Sequence, residues 1–205
     1  MSVTHPAGFT AAGAAIGLKS TGATDLALVV NQGPSSASAS VFTSNRCVAN
    51  PVIWSKEVVK DGVVKAVVLN SGGANCYTGA EGFQTTHAVA EKVATGLGIG
   101  AGDVVVCSTG LIGLTNPRQN LLDGIEAIVP TLSADGGDGA AHAIMTTDSV
   151  SKQVVVEGEG WSIGGMAKGA GMLAPALATM LVVITTDADV DAATLDSALR
   201  AATRV

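Results

Sequence analysis

Short valine-rich runs, separated by glycine-rich turns, are the feature that most restricts the fold of this chain. Several of these runs are almost entirely apolar, which is the pattern of β-strands covered on both faces of a sheet. We expect strands at DLALVV (25–30), VVKAVVLN (63–70), DVVVCSTG (103–110), KQVVVEG (152–158) and TMLVVITTD (179–187).

Three other segments repeat their apolar residues with the period of an amphipathic helix. They are QTTHAVAEKVATGLG (84–98), NPRQNLLDGIEAIV (116–129) and DAATLDSALRAAT (191–203). Gly98 suits the end of the first helix, and Asn116 as N-cap followed by Pro117 is a strong start signal for the second. Because helices interleave with strands, the sequence predicts an α/β fold.

The composition limits both the core and the partners of such a fold. Hydrophobic residues make up 47% of the chain but aromatic residues only 3%, so small aliphatic side chains must fill the core. The net charge of -6 argues against nucleic-acid binding, which needs a basic face to neutralise phosphates. No run reaches the length of a membrane span, and the first residues lack the pattern of a signal peptide. We therefore expect a cytoplasmic protein without nucleic-acid or membrane partners.

The cysteines and histidines form no recognisable metal or catalytic pattern. The cysteines follow neither CxxC nor metal-ligand spacing, and we expect buried thiols at Cys47, Cys76 and Cys107. The histidines, His5, His87 and His142, are far apart in sequence. We expect His87 in a helix and His142 in a Gly/Ala loop, each in a surface or capping role. Triads assemble in space, so a Ser-His-Asp triad stays open, although no pattern favours one.

Two glycine-rich segments invite other interpretations. GLGIGA (96–101) matches the weak form of a dinucleotide fingerprint, but it follows a helix instead of a strand and therefore indicates a helix end and a loop. SADGGDGAAHA (133–143) has the composition of a flexible stretch, and it is the best candidate for an internal boundary.

A strand that ends in Thr-Gly before a turn occurs at CSTGLIG (107–113). Backbone N–H groups exposed at such a turn, with the Thr109 hydroxyl beside them, can hold a developing oxyanion. The segment alone favours a simpler interpretation, a glycine turn that Thr109 caps.

A threonine also stands where a glycine-rich loop enters a strand, in GMAKGAGMLAPALATMLVV (165–183). Its hydroxyl keeps its proton near neutral pH and is a poor nucleophile. If the peptide bond before Thr179 breaks, the freed α-amine, with an ordinary pKa of about 8, can act as base for that hydroxyl. Without further information, a glycine-rich turn into a core strand is the favoured interpretation.

The segment around Thr179, GGMAKGAGMLAPALATMLVVITTD (164–187), resembles the self-cleavage segment of ornithine acetyltransferase, the glutamate N-acetyltransferase of arginine biosynthesis. Other segments look like signatures of that family, in the family's order: PAGFTAAGAAIGLKSTGATDLALV (6–29), VFTSNRCVANPV (41–52), LNSGGANCYTG (69–79), CSTGLIG (107–113) and AHAIMTTD (141–148). The resemblance thus spans nearly the whole chain, and the combination is highly specific.

The resemblance implies a layered α/β sandwich of the self-processing ornithine acetyltransferase and aminopeptidase type. It implies a precursor that breaks between Ala178 and Thr179, by attack of the Thr179 hydroxyl on the preceding carbonyl and hydrolysis of the ester. Thr179 would then take the acetyl group from N-acetylornithine, and glutamate would collect it in a ping-pong cycle.

The resemblance also assigns roles to individual residues. By their places in the motifs, Thr109 and Gly110 match the oxyanion-stabilising pair, and Thr146 and Lys168 match substrate-binding residues alongside Thr179. In the sequence, Lys168 is a lone cation near the nucleophile, and such a cation suits substrates that carry an α-carboxylate. No metal or organic cofactor is implied, and acetyl-CoA stays open as a further donor substrate.

Members of that family are about twice as long as this chain, and their second chain begins at the nucleophile. The resemblance therefore divides the sequence into an α-chain-like region, 1–178, and the start of a β chain, 179–205. It implies the C-terminal β half as partner, in a heterotetramer of two α and two β chains. Further substrate-binding residues would lie in that half, so we expect a fragment that depends on it.

Two other functions stay open. The first is a related N-terminal-nucleophile amidase or aminopeptidase, which resolves the acyl-enzyme with water. The combination of KGAGM (168–172) and ATML (178–181) with STGLIG (108–113) favours the transferase over this hydrolase. The second is an inactive structural fragment, which predicts an uncut chain that still binds a complementary C-terminal piece.

Overall fold

The computed structural model describes residues 2–171 and 179–203, and in these the strands form two sheets. The strands of the four-stranded sheet, in their spatial order, are Phe9–Ala14 (β1), Leu26–Asn31 (β2), Ala66–Gly73 (β3) and Val104–Leu111 (β4). Those of the three-stranded sheet are Lys152–Glu157 (β5), Ser162–Lys168 (β6) and Leu181–Thr186 (β7). The α/β prediction is therefore confirmed.

The α-helices lie between and after these strands. They are Asn50–Val58 (α1), Gly79–Leu97 (α2), Arg118–Ile128 (α3), Gly137–Ala143 (α4) and Ala192–Ala202 (α5). Gly98 ends α2 in the left-handed conformation, as predicted. No helix in the described ranges is long and apolar enough to cross a bilayer.

The four-stranded sheet is covered on both faces, as the valine-rich runs predict. One face packs against α2 and α3, in a cluster that includes Leu28, Val68, Val93 and Ile125. The other face packs against α4 and the three-stranded sheet, in a cluster that includes Ala27, Leu69, Ala140, Ile144, Met166 and Val183. Successive side chains point to opposite faces, so both clusters draw on the same strands.

The parallel pairing of β3 with β4 brings two chain segments to one edge of the sheet. The helix α2 connects these strands, and Ser71 lies opposite Thr109 in their register, with Gly72 opposite Gly110. The other pairings of this sheet, β1 with β2 and β2 with β3, are antiparallel.

The stretch 133–143, which we predicted as an internal boundary, is instead part of the core. It contains α4, in which Gly137, Ala140, Ala141 and Ala143 are buried. Small residues are needed here because a Cβ on Gly136 would lie 1.7 Å from the carbonyl oxygen of Ala11 in β1. The glycines that suggest flexibility in the sequence serve close packing in the structure.

Three further predictions are wrong. Pro117, not Asn116, stands at the cap of α3, and Asn116 is buried with its Nδ2 donating to the Gly73 carbonyl at 3.2 Å. Cys76 is buried and Cys107 partly buried, but Cys47 is exposed. The apolar runs of β5 and β7 are also not covered on both faces as expected. One face of the three-stranded sheet carries exposed apolar side chains, among them Val154, Val156, Val182 and Ile184.

Candidate active site

The carboxyl ends of β3 and β4 form the first part of the site. Thr109 is buried there, and Gly110 follows it with a φ of +124°. A Cβ on Gly110 would lie 2.4 Å from the backbone carbonyl of Gly72 in the neighbouring strand. Only glycine allows both this close approach and this φ without strain. Glycine at position 110 is therefore required by the packing of β4 against β3, and not only by a turn.

Buried side chains tie this strand edge to the rest of the fold. The Ser71 hydroxyl, beside Thr109 in the register, donates to the Ala143 carbonyl at 2.6 Å. The Ser108 hydroxyl contacts Asn70 Oδ1 at 2.6 Å. Ala143 ends α4, so the Ser71 bond ties the end of this helix, from which the loop with Thr146 begins, to the edge.

Thr146 is exposed in that loop and is held by Asp148. Its backbone N–H donates to Asp148 Oδ2 at 3.3 Å. The Asp148 side chain has no exposed surface, and its Oδ1 also accepts a hydrogen bond from the Gly169 N–H at 2.8 Å and one from the Lys152 ammonium. One carboxylate therefore joins the Thr146 loop to the end of β6.

Lys168 is the last residue of β6 and is buried, with 5% of its surface exposed. Its Nζ donates to the backbone carbonyl of Thr179 at 3.0 Å. Thr179 is exposed and stands two residues before β7, whose first residue, Leu181, pairs with Lys168 in the sheet. Antiparallel pairing of β6 with β7 thus brings the predicted cation to the predicted nucleophile. Ala178 lies outside the described residues.

The charges around Lys168 contradict the prediction of a lone cation. Burial lowers the pKa of Lys168, the Asp148 carboxylate opposes this effect, and the ammonium groups of Lys152 and Lys19 add to it. Burial also lowers the pKa of Lys19, against the attraction of Asp25 and Asp148. Lys168 therefore has two further cations near it, Lys152 and Lys19, together with the buried carboxylate of Asp148.

Asp148 is ionised in spite of its burial. Desolvation favours the neutral acid, but the hydrogen bonds from Lys152 and from the N–H groups of Gly169 and Thr146 outweigh it and lower the pKa of Asp148 to about 2. In the sequence, Asp148 stands out only as the last residue of the segment AHAIMTTD (141–148). An Asp two residues after a Thr is also common in ordinary turns, so the sequence carried little signal for it.

The structure joins some predicted site residues directly and others only through neighbours. Lys168 contacts Thr179, and Asp148 links both Thr146 and the Lys168 strand end. Thr109 reaches this group through Ser71 and α4, and in the described ranges no hydrogen bond joins Thr109 or Gly110 to Thr179.

Other nucleophiles fit the geometry less well. Burial raises the pKa of the Cys107 thiol, two residues before Thr109, to about 12, which removes its thiolate at neutral pH. His142 Nδ1 lies 2.9 Å from the Asp138 carbonyl within α4, and His5 Nε2 lies 2.5 Å from Glu157. Among the residues that the structure describes, no cluster of His, Cys, Asp and Glu could hold a metal ion.

Comparisons with known proteins identify the family of this chain. The ArgJ family model matches residues 10–205. The chain is 64% identical over 205 residues to the arginine biosynthesis bifunctional protein ArgJ of Streptomyces coelicolor, covering 100% of this chain and 54% of that protein. It is 56% identical over 208 residues to the protein of that name from Mycobacterium tuberculosis, covering 98% and 52%. The chain thus spans about half the length of the curated relatives it matches.

Two crystal structures share the fold. Ornithine acetyltransferase from Mycobacterium tuberculosis, solved in complex with ornithine, matches with a TM-score of 0.83 and 52% identity, over 88% of this chain and 96% of that one. The arginine biosynthesis bifunctional protein from Bacillus halodurans matches with a TM-score of 0.76 and 32% identity, over 88% and 95%. The sequence and the fold therefore agree with the resemblance, and the chain belongs to the ArgJ family.

Proposed function

We propose that this chain is the nucleophile-bearing part of an acetyltransferase of arginine biosynthesis, which moves the acetyl group of N-acetylornithine to glutamate. The contact between the buried Lys168 ammonium and the carbonyl of Thr179 carries this proposal. It places a cation beside an exposed threonine at the start of a strand. The names of the relatives, and the ornithine bound to the Mycobacterium tuberculosis structure, support the reaction and the substrate class.

The first step is self-cleavage at Ala178-Thr179. The Thr179 hydroxyl attacks the Ala178 carbonyl carbon, the peptide C–N bond breaks, and an ester forms between Ala178 and the Thr179 oxygen. Water then hydrolyses the ester. The products are a carboxylate on Ala178 and a free Thr179 with its own α-amine, so the chain divides into 1–178 and 179–205.

Acetyl transfer follows on the freed threonine. The α-amine accepts the hydroxyl proton as the Thr179 oxygen attacks the acetyl carbonyl, and ornithine leaves as its amine. The amine of glutamate then attacks the acetyl ester, which gives N-acetylglutamate and restores Thr179. We assign Thr109 and Gly110 to stabilisation of the oxyanion in both half-reactions.

Lys168 and Thr146 bind the substrate in this scheme. An ammonium group has three N–H donors, and the Thr179 carbonyl uses one of those on Lys168. The others can bind the α-carboxylate that N-acetylornithine and glutamate share. Thr146, exposed on its loop, supplies a polar contact to the same substrates.

The partner in this proposal is the remaining C-terminal half of the family's chain. The exposed apolar face of β5 and β7 supports it, because Val154 and Ile184 lie more than half exposed there at 56% and 54%. A heterotetramer of two α and two β chains, a cytoplasmic location, the lack of a cofactor and the use of acetyl-CoA as a second donor stay predictions.

Intact mass spectrometry of the purified chain tests this proposal. We expect two products divided at Ala178-Thr179, no division in Thr179→Ala, and division in the control Thr179→Ser, which keeps a hydroxyl. The chain is measured alone and after co-expression with the C-terminal half of the Streptomyces coelicolor relative. An uncut chain in both preparations would favour the inactive structural fragment.

A second assay separates transfer from hydrolysis. The co-expressed halves are given N-acetylornithine with and without glutamate, and N-acetylglutamate and acetate are measured. We expect N-acetylglutamate as the main product when glutamate is present. Acetate in equal amounts with and without glutamate would instead support the amidase or aminopeptidase.

A further inference from the structure

The predicted substrate-binding residues Thr146 and Lys168 lie on different segments, and one buried side chain connects those segments. Thr146 belongs to the loop after α4, whereas Lys168 ends β6. Between them lies Asp148, with Oδ2 accepting from the Thr146 N–H and Oδ1 from the Gly169 N–H. We propose that Asp148 is the positioning residue of this site, which holds the Thr146 loop against the strand end that carries Lys168.

The chemistry of the contact favours a charged carboxylate over a neutral side chain. A carboxylate offers acceptor sites on both oxygens, and the two backbone N–H groups together with the Lys152 ammonium occupy them without leaving a donor unpaired. An amide in this position would turn one acceptor into a donor. That donor would face either an N–H group or an ammonium, so the bridge would lose at least one bond.

Asp148 also acts on Lys168 through its charge. The ionised and ionisable groups that face Lys168 are Asp148, Lys152 and Lys19, of which only Asp148 is an anion. It therefore opposes the loss of the Lys168 proton that burial and the two neighbouring cations favour. A protonated Lys168 binds the Thr179 carbonyl and a substrate carboxylate more strongly than a neutral one, because hydrogen bonds from a charged donor are stronger.

This inference rests on the proposed function for its consequence in catalysis, but the effect of the Asp148 charge on Lys168 can be tested without activity. The pKa of Lys168 is measured by amine labelling with acetic anhydride over a pH series, followed by peptide mass spectrometry. We expect a lower Lys168 pKa in Asp148→Asn, a higher one in Lys152→Gln, and no change in the control Asp123→Asn, an exposed carboxylate on α3. A merely structural role does not predict opposite shifts, and an unchanged Lys168 pKa in Asp148→Asn overturns the proposal.

The rate of division at Ala178-Thr179 is then measured in the same variants. For Asp148→Asn we expect a rate roughly 10- to 100-fold lower, the scale of loss that a misplacement of about 1 Å causes, with circular dichroism like that of the parent. We expect the rate of division to fall at high pH as Lys168 loses its proton. In Asp148→Asn this fall should begin at a lower pH than in the parent, because the pKa of Lys168 is lower there. A parent-like rate and pH profile in Asp148→Asn contradicts the positioning role, whereas an uncut parent contradicts only the proposed function.

Discussion

The ammonium of Lys168 and the carbonyl of Thr179 are joined by a hydrogen bond of 3.0 Å, although 11 positions separate the two residues in sequence. The bond fixes a residue that lies two positions before β7 to the last residue of β6. Because the contact uses the backbone carbonyl of Thr179, it does not depend on the peptide bond that precedes this residue. Thr179 can therefore stay in place before and after cleavage.

Replacement of Lys168 tests that contact. In Lys168→Gln the charged donor is lost, and a hydrogen bond to a charged group is worth about 1.5–3 kcal/mol, so we expect the rate of division at Ala178-Thr179 to fall roughly 10- to 100-fold. The time course is followed by intact mass. Lys60→Gln, a highly exposed lysine paired with Glu57, is the control and should divide like the parent. Equal rates in both variants would show that Lys168 does not hold Thr179.

Gly110 and Gly113 form a matched pair for the strand edge. A Cβ on Gly110 would lie 2.4 Å from the Gly72 backbone, whereas one on Gly113 would meet no heavy atom within 4 Å, although both residues have positive φ. We expect Gly113→Ala to cost about 1 kcal/mol of unfolding free energy and Gly110→Ala at least about 3 kcal/mol. Urea denaturation measures both. Equal losses would mean that conformational strain alone, and not the close approach of β3 and β4, requires glycine.

Asp25 anchors the chain between β1 and β2 from a fully buried position. Its carboxylate accepts from the N–H groups of Ile16 at 2.7 Å, Leu18 at 2.6 Å and Lys19 at 2.9 Å. In Asp25→Ala these donors lose a charged acceptor, so we expect a loss of about 3 kcal/mol or more in unfolding free energy, measured with urea. The exposed Asp123→Ala should change stability by less than about 0.5 kcal/mol. A small effect at Asp25 would indicate that water replaces the carboxylate.

The ionisation of Asp148 predicts a dependence of stability on acid. The folded-state pKa is lowered from 3.8 to about 2, so the ionised carboxylate stabilises the fold above pH 3.8 and this contribution disappears as the pH falls through 2. The shift corresponds to about 2 kcal/mol. The difference in unfolding free energy between parent and Asp148→Asn should therefore shrink by that amount from pH 5 to pH 2. A constant difference over this range would show that the charge of Asp148 does not stabilise the fold.

The sequence predicted most regular elements because their signals are local. The runs that contain β2, β3 and β4 are strongly apolar, and α2 and α5 repeat their apolar residues with helical period. The missed strands, β1 and β6, have the sequences FTAAGA and SIGGMAK, in which glycine and alanine give little strand propensity. They are strands because neighbouring strands pair with them.

The sequence by itself determined the family, the α/β class and the identity of Thr109, Gly110, Thr146, Lys168 and Thr179 as site residues to test, since all of these rest on short stretches of chain. The tertiary structure alone decided that α4 belongs to the core, that Lys19 and Lys152 surround Lys168, and that Asp148 links two segments of the site. The physical reason is distance along the chain. The Asp148 to Gly169 bond spans 21 positions and the Ser71 to Ala143 bond spans 72, and such contacts depend on how the strands pair, which no local pattern records.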